Sequence, residues 1–307
     1  MAGILLAAPS CGSSRAGSTP AADRPGTGTA ADGDAAGPSS AENLDASAAP
    51  ATSAGGPGLD AGTAPGPSSY MLARQLVGAY AGKIAYRKVL SAGTLGEIHA
   101  LATISASIEI KAVATTGMVT VSTRPCHVEI VGTGTGLLAG ATVTIPDIVM
   151  TTTQLDDATL SSVADAPTGI GWSISEIHGP IGWKWAGPGD TQPTAATDPR
   201  VFDQDGDGEP GVTMMVNASG INAKLYFVQT ERDALRGTLG DAGELTGETS
   251  DDSQQAIIGS DNQVLAQTAI SWSADTNTVD NTVRIVPVPK MLACSELLAQ
   301  IETLFPN

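Results

Sequence analysis

From about residue 70 to the C-terminus, β-branched and polar residues alternate with a period of two, and this limits the accessible folds more than any other feature. Thr103, Ser105, Ser107 and Glu109 interleave with Ile104, Ile108 and Ile110. Residues 119–123, 127–130, 142–145, 213–216, 224–228 and 282–287 repeat the alternation. Successive side chains of an extended chain point to opposite faces, so these segments read as half-buried strands of an antiparallel sheet. Thr133-Gly134-Thr135-Gly136, Gly187-Pro188-Gly189-Asp190 and Ser219-Gly220 read as the turns between them. No long segment repeats at 3.6 residues, which weighs against βαβ units. The one helix expected lies near the C-terminus, where Leu297, Leu298, Ile301, Leu304 and Phe305 form an apolar stripe. The expected fold is all-β over residues 70–307: a single antiparallel β-barrel, lipocalin-like or a related up-and-down type, with a short C-terminal helix. Closure would remove the exposed edges that many short strands otherwise leave.

The N-terminal fifth has a different character. Residues 12–69 are built almost wholly from Ala, Gly, Ser, Thr and Pro with scattered Asp, and Leu44 and Leu59 are the only large aliphatic residues. Such a segment cannot bury enough apolar surface to offset chain entropy, so it reads as a disordered tether. As a flexible coil its ends would lie on the order of 40 Å apart. Residues 1–11 read as a truncated signal peptide: Ile4-Leu5-Leu6-Ala7-Ala8 is apolar and Ala8 and Ser10 are small, but a positive n-region is missing. A mis-assigned start codon would account for that. Cys11-Gly12-Ser13-Ser14 resembles a bacterial lipobox, whose cysteine is acylated after cleavage; Pro9, and the absence of Leu three residues before Cys11, depart from it. The alternative is a low-complexity tail with no anchoring role.

Charge narrows the partners. Fifteen Lys and Arg stand against 32 acids, a formal net charge of -17. That balance excludes a nucleic-acid binder working by phosphate neutralisation, and electrostatic docking on an anionic lipid surface. No run approaches the roughly 18–20 apolar residues of a spanning helix, so membrane contact is expected through a lipid anchor only. With Cys11 acylated, Cys126 and Cys294 remain as an even pair in an exported chain, where a disulfide is the default. Two separately buried thiols are the alternative. A zinc site is disfavoured because no CxxC exists.

The sharpest chemical motif is Asp203-Gln204-Asp205-Gly206-Asp207-Gly208-Glu209-Pro210-Gly211-Val212-Thr213. Carboxylates at alternate positions, followed by a glycine that permits a sharp turn, suit a hard cation that takes six to eight oxygens. Asp203, Asp205, Asp207 and the main-chain oxygen of Glu209 are the candidate calcium ligands. Met214 stands where an EF-hand would place its closing Glu, so the loop is closer to the aspartate-rich calcium loops of surface proteins. The competing reading is a solvated acidic turn, which is also the simpler account of Asp156-Asp157 and Asp251-Asp252.

Trp172, Trp183 and Trp185 fall within fourteen residues. If Trp183 and Trp185 share a strand they face the same way. Exposed, the three would bind a sugar or a small apolar ligand; buried, they fill the core. No nucleophile elbow or HExxH sequence occurs. Gly132-Thr133-Gly134-Thr135-Gly136 lacks a P-loop lysine and reads as a hairpin turn. His99 and His127 lie in strands, and Glu176 with Asp190 or Asp203 are the carboxylates that a glycoside hydrolase would need to bring together.

Several of these phrases together are similar to a group of uncharacterised bacterial surface lipoproteins of the high-GC Gram-negative type. They are Cys11 with its tether, Tyr86-Arg87-Lys88-Val89, Cys126, the phrase from Phe202 to Thr213, and Val286-Pro287-Val288-Pro289 before Cys294. The resemblance implies an outer-membrane or cell-surface location and no particular activity. The expected function is a membrane-tethered, non-enzymatic β-barrel module with a structural calcium loop, binding a small apolar ligand or an envelope component. The alternative is a secreted calcium-dependent hydrolase of glycans or esters. Converging carboxylates in a cleft would favour the hydrolase, and a dry aromatic-lined interior would favour binding.

Overall fold

The computed structural model describes residues 74–113, 118–163, 170–187, 189–218 and 221–306. Cys11 with the signal reading of residues 1–11, the tether of residues 12–69 and the Ser219-Gly220 turn lie outside the described residues. Twelve strands follow in order: β1 (Gly78–Ser91), β2 (Glu97–Ala112), β3 (Val119–Gly134), β4 (Thr142–Thr144), β5 (Ala158–Val163), β6 (Ile170–Ile181), β7 (Val212–Ala218), β8 (Ile221–Leu239), β9 (Leu245–Asp251), β10 (Gln254–Ser260), β11 (Ser271–Ala274) and β12 (Thr282–Val288). Helix α1 (Asp147–Thr152) separates β4 from β5, α2 (Gln263–Ala266) precedes β11, and α3 (Cys294–Leu304) is C-terminal. The antiparallel β-rich fold and the C-terminal helix match the expectation. The two short helices α1 and α2, six and four residues long, were missed because neither is long enough to show a period.

The strand path runs β4–β7–β8–β6–β5–β3–β2–β1–β12–β9, and β9 also pairs with β8. The pairings leaving β8 through β6 therefore return to β8 through β9. Strand β8 is long enough for both sets of neighbours. Its first part pairs with β7 and β10, and its second with β6 and β9. Every odd-numbered residue of β8 from Ala223 to Leu235 is buried, as are Ile84, Tyr86, Lys88 and Leu90 on β1. These inward lines join Ile98, Ile108, Ile110, Leu160, Ile174 and Ile285 in the main core.

The opposite face of β1, β2, β3 and β12 is covered by the C-terminal segment. Ala81, Cys126, Val286, Leu292, Leu297 and Phe305 form a second buried cluster there. This explains why Ser107, expected on a wet face, is fully buried: its hydroxyl donates to the Leu292 carbonyl at 2.9 Å. Ser105 pairs with His127 and Ala106 with Pro125, so Cys126 is the extra residue of a β-bulge. A bulge is also where a proline is tolerated inside a sheet. It turns Cys126 towards α3, where it is bonded to Cys294, 168 residues away. The disulfide expectation is met. Glu296 braces the start of α3 by accepting from the Ala293 N–H at 3.0 Å and from Lys290 at 2.8 Å. One turn was misplaced: Thr133 and Gly134 extend β3 opposite His99 and Ile98, and the chain turns only after them.

Candidate functional site

Between β6 and β7 the acidic phrase folds onto itself. Gly206 has φ +75°, a conformation that glycine adopts without strain. Asp203 Oδ1 accepts from the Gly206 and Asp207 N–H groups at 2.7 and 3.2 Å, and Oδ2 accepts from Gly208 at 2.9 Å. Asp205 Oδ2 accepts from the Thr213 N–H at 2.8 Å. Asp207 accepts from the Glu209 N–H, the Thr213 hydroxyl and the Lys224 ammonium, each at 3.0 Å. Gln204 anchors the loop: its oxygen accepts from Gly182, and its amide donates to the Val149 carbonyl and the Thr153 hydroxyl beside α1.

One carboxylate oxygen from each of Asp203, Asp205 and Asp207 lies within 4.8 Å of the others. Glu209 does not join its carboxylate to that group; its charge instead acts on Tyr226, whose hydroxyl is pushed up by burial first and by Glu209 second. Burial pushes the Asp205 carboxyl above its ordinary range, and the charge of Asp207 adds to it. Its Oδ1 is buried with no hydrogen-bond partner among the described residues. Burial also pushes Asp207 upward, but Lys224 and the donors from Glu209 and Thr213 outweigh it, so Asp207 titrates below the usual carboxylate range. Lys224 thus occupies part of the charge that a cation would otherwise neutralise.

A second constellation, not anticipated from the sequence, lies inside the sheet. A cavity of about 60 Å³ is walled by apolar side chains, among them Ile104, Ile130, Ile177, Ile181, Phe227 and Trp272. Lys88, Thr123, Gln229, Glu231, Asp233 and Gln255 line it as well. Lys88, Glu231 and Asp233 are 2, 4 and 3% exposed, an unusual depth for charged groups. Lys88 Nζ lies 2.5 Å from Asp251, whose side chain is itself 1% exposed, and 5.2 Å from the centre of the Tyr86 ring. The Gln229 amide donates to Glu231. Burial, then the charge of Glu231 and a shared hydrogen bond with it, hold the Asp233 carboxyl well above its usual range. Burial and the charges of Glu231, Asp233 and Asp251 push the Tyr86 hydroxyl up in the same way. Asp251 was read as part of a solvated turn. The structure corrects this, because the last residue of β9 falls opposite Asp233 on the inward face.

The tryptophans do not meet as one surface. Trp172 on β6 and Trp183 are 1% and 2% exposed, and the Trp183 indole donates to the Gln229 carbonyl at 2.9 Å. Trp183 bridges Val201 rather than belonging to a named strand. Trp185 is half-buried, edge-on to His178 at 4.4 Å. The tryptophan in the cavity wall is Trp272. The carboxylates considered for glycoside hydrolysis are held apart by separate guanidiniums: Glu176 pairs with Arg232 and Asp190 with Arg200. His99 and His127 contact Asp275 and Asp147 at 2.9 and 2.6 Å. Comparison with protein-family models, curated proteins and solved structures finds no match to this chain. Among the described residues no helix is long and apolar enough to cross a membrane.

Proposed function

We propose that the chain is a non-enzymatic binding module: a closed antiparallel β-barrel that holds a small ligand in its interior cavity. One observation carries this reading. The cavity wall combines an apolar lining with buried polar atoms that have no hydrogen-bond partner among the described residues, namely Thr123 Oγ1, Asp233 Oδ1 and Gln255 Oε1. Buried polar atoms are nearly always hydrogen-bonded, so a site that keeps several unpaired around one space is built to receive a polar guest. Barrel closure is supported by β9 pairing with both β12 and β8. The lipid anchor at Cys11 and the tether of residues 12–69 rest on the sequence reading and would place the module at the cell surface, facing envelope components.

The acidic loop serves as a calcium site in this account. The spacing of Asp203, Asp205 and Asp207, their converging oxygens and the unpartnered Asp205 Oδ1 support it. Calcium would displace Lys224 from Asp207 and complete its coordination with main-chain oxygens or water.

A hydrolase reading has one observation in its favour, the Glu231–Asp233 pair with its shared hydrogen bond, which resembles an acid–base couple. Glu231 and Asp233 are only 4 and 3% exposed, which places them out of reach of a glycan chain at the surface.

Calorimetric titration of the full chain with n-butanol, n-butylammonium and butyrate tests the binding reading. At least one should bind wild type and fail to bind Ala102→Leu, whose added carbons project from the cavity wall on β2. Binding that is equal in both proteins, or absent for all three probes, would overturn it.

A further inference from the structure

The cavity wall holds more acid than it neutralises. Strand β8 contributes Glu231 and Asp233 to the wall and β1 contributes Lys88, which is paired with Asp251 on β9, opposite Asp233. Like charges opposite each other across a strand pair repel. Lys88 is already engaged by Asp251 at 2.5 Å, and Glu231 already accepts from Gln229. Three polar atoms are left over in the wall, Thr123 Oγ1 and the acceptors Asp233 Oδ1 and Gln255 Oε1, all buried and without a hydrogen-bond partner among the described residues. The two acceptors lie on the paired strands β8 and β10, with Gln255 opposite Gln229, four residues before Asp233.

What satisfies two acceptors beside an acidic cluster is a donor with positive charge. We propose that the cavity binds a small aliphatic ammonium, held by the charge of Glu231 with an N–H donating to Asp233 Oδ1, and its hydrocarbon lying against Ile104, Ile130, Ile177 and Trp272. This rests on the binding reading and adds the chemical class of the ligand. A carboxylate guest would face Glu231 with like charge. An alcohol brings no charge to the acidic cluster, whereas a primary ammonium brings a charge and three donors.

Titration of the full chain at neutral pH with n-butylammonium, n-butanol and butyrate decides the matter. The ammonium should bind at least about tenfold more tightly than the alcohol, and butyrate should not bind. Glu231→Gln keeps the side-chain size but loses the charge; it should weaken n-butylammonium about tenfold or more and n-butanol far less. If that variant loses its cooperative thermal transition, Asp233→Ala, which removes the Oδ1 acceptor, replaces it with the same expectation for n-butylammonium. Alcohol binding as tight as ammonium binding, or no effect in the folded variant, overturns the ammonium inference and leaves an apolar binding site standing. No binding of any probe overturns both, and the cavity then holds water alone.

Discussion

At the scale of single residues Asp233 carries a cost, as a carboxyl buried on the inward line of β8 and opposite another at Asp251. Its carboxyl is held well above the ordinary range, chiefly by burial. Below the unfolded value of about 3.9 both folded and unfolded states carry the proton and the group costs nothing. As pH rises past that value the unfolded chain releases its proton while the folded state keeps it, so stability falls with pH up to the raised folded value. Asp233→Asn removes this penalty, because the amide can donate to Glu231 as the protonated acid does. Urea unfolding should therefore show the variant gaining on wild type at pH 7, with the gain shrinking towards pH 4; a gap independent of pH would contradict the assignment. Asp205 carries the corresponding prediction for the acidic loop. Calcium at about 100 times its dissociation constant should stabilise wild type by about 2.7 kcal/mol, and Asp205→Ala should abolish the increment. A melting temperature unaffected by calcium in wild type would reduce the loop to a polar turn held by Lys224.

At the scale of elements, two joints hold the sheet in its arrangement. Where β8 meets β9, Gly237 pairs with Gly247. A Cβ on Gly247 would stand 1.9 Å from the Arg236 carbonyl oxygen, and one on Gly237 would stand 1.8 Å from that of Thr246. Gly247→Ala should push the strands apart and cost about 1–3 kcal/mol in denaturant unfolding; an unchanged midpoint would mean that β8 and β9 do not stay paired. The second joint is α3, pinned by Cys126–Cys294 and by the fully buried Leu297. Leu297→Ala should cost about 2–5 kcal/mol, and loss of the disulfide about 5 kcal/mol by loop entropy. The strands were legible in the sequence because alternation is a local signal. The Cys126–Cys294 pair was legible from the cysteine count together with the expected export, and the aspartate loop from its spacing. The interior site was not, although part of its signal was present. Gln229, Glu231 and Asp233 continue the period-two line of Leu225 and Phe227, and Lys88 continues that of Ile84 and Tyr86. Polar residues at those positions look like the end of a buried face until register places them around one cavity. Register depends on distant pairings and on the bulge at Cys126, which residue spacing does not encode.

At the scale of the whole molecule, three features are proposed together: a sheet that closes around an acidic, partly apolar cavity, a calcium-binding loop between β6 and β7, and, from the sequence alone, an anchored N-terminal tether. Both candidate sites touch β8. Lys224 on its first part reaches the aspartate loop, while Glu231 and Asp233 on its second part enter the cavity. Binding at the cavity is the central claim. It is tested most directly by methyl NMR spectra of the full chain, with isoleucine methyls labelled, recorded while n-butylammonium, n-butanol and butyrate are added in turn. The account predicts saturable shifts concentrated at Ile104, Ile130, Ile177 and Ile181 in the cavity wall, largest for the ammonium and absent in Ala102→Leu. Spectra that stay unchanged at those methyls, or shifts confined to surface residues such as Ile148 and Ile170, would contradict it.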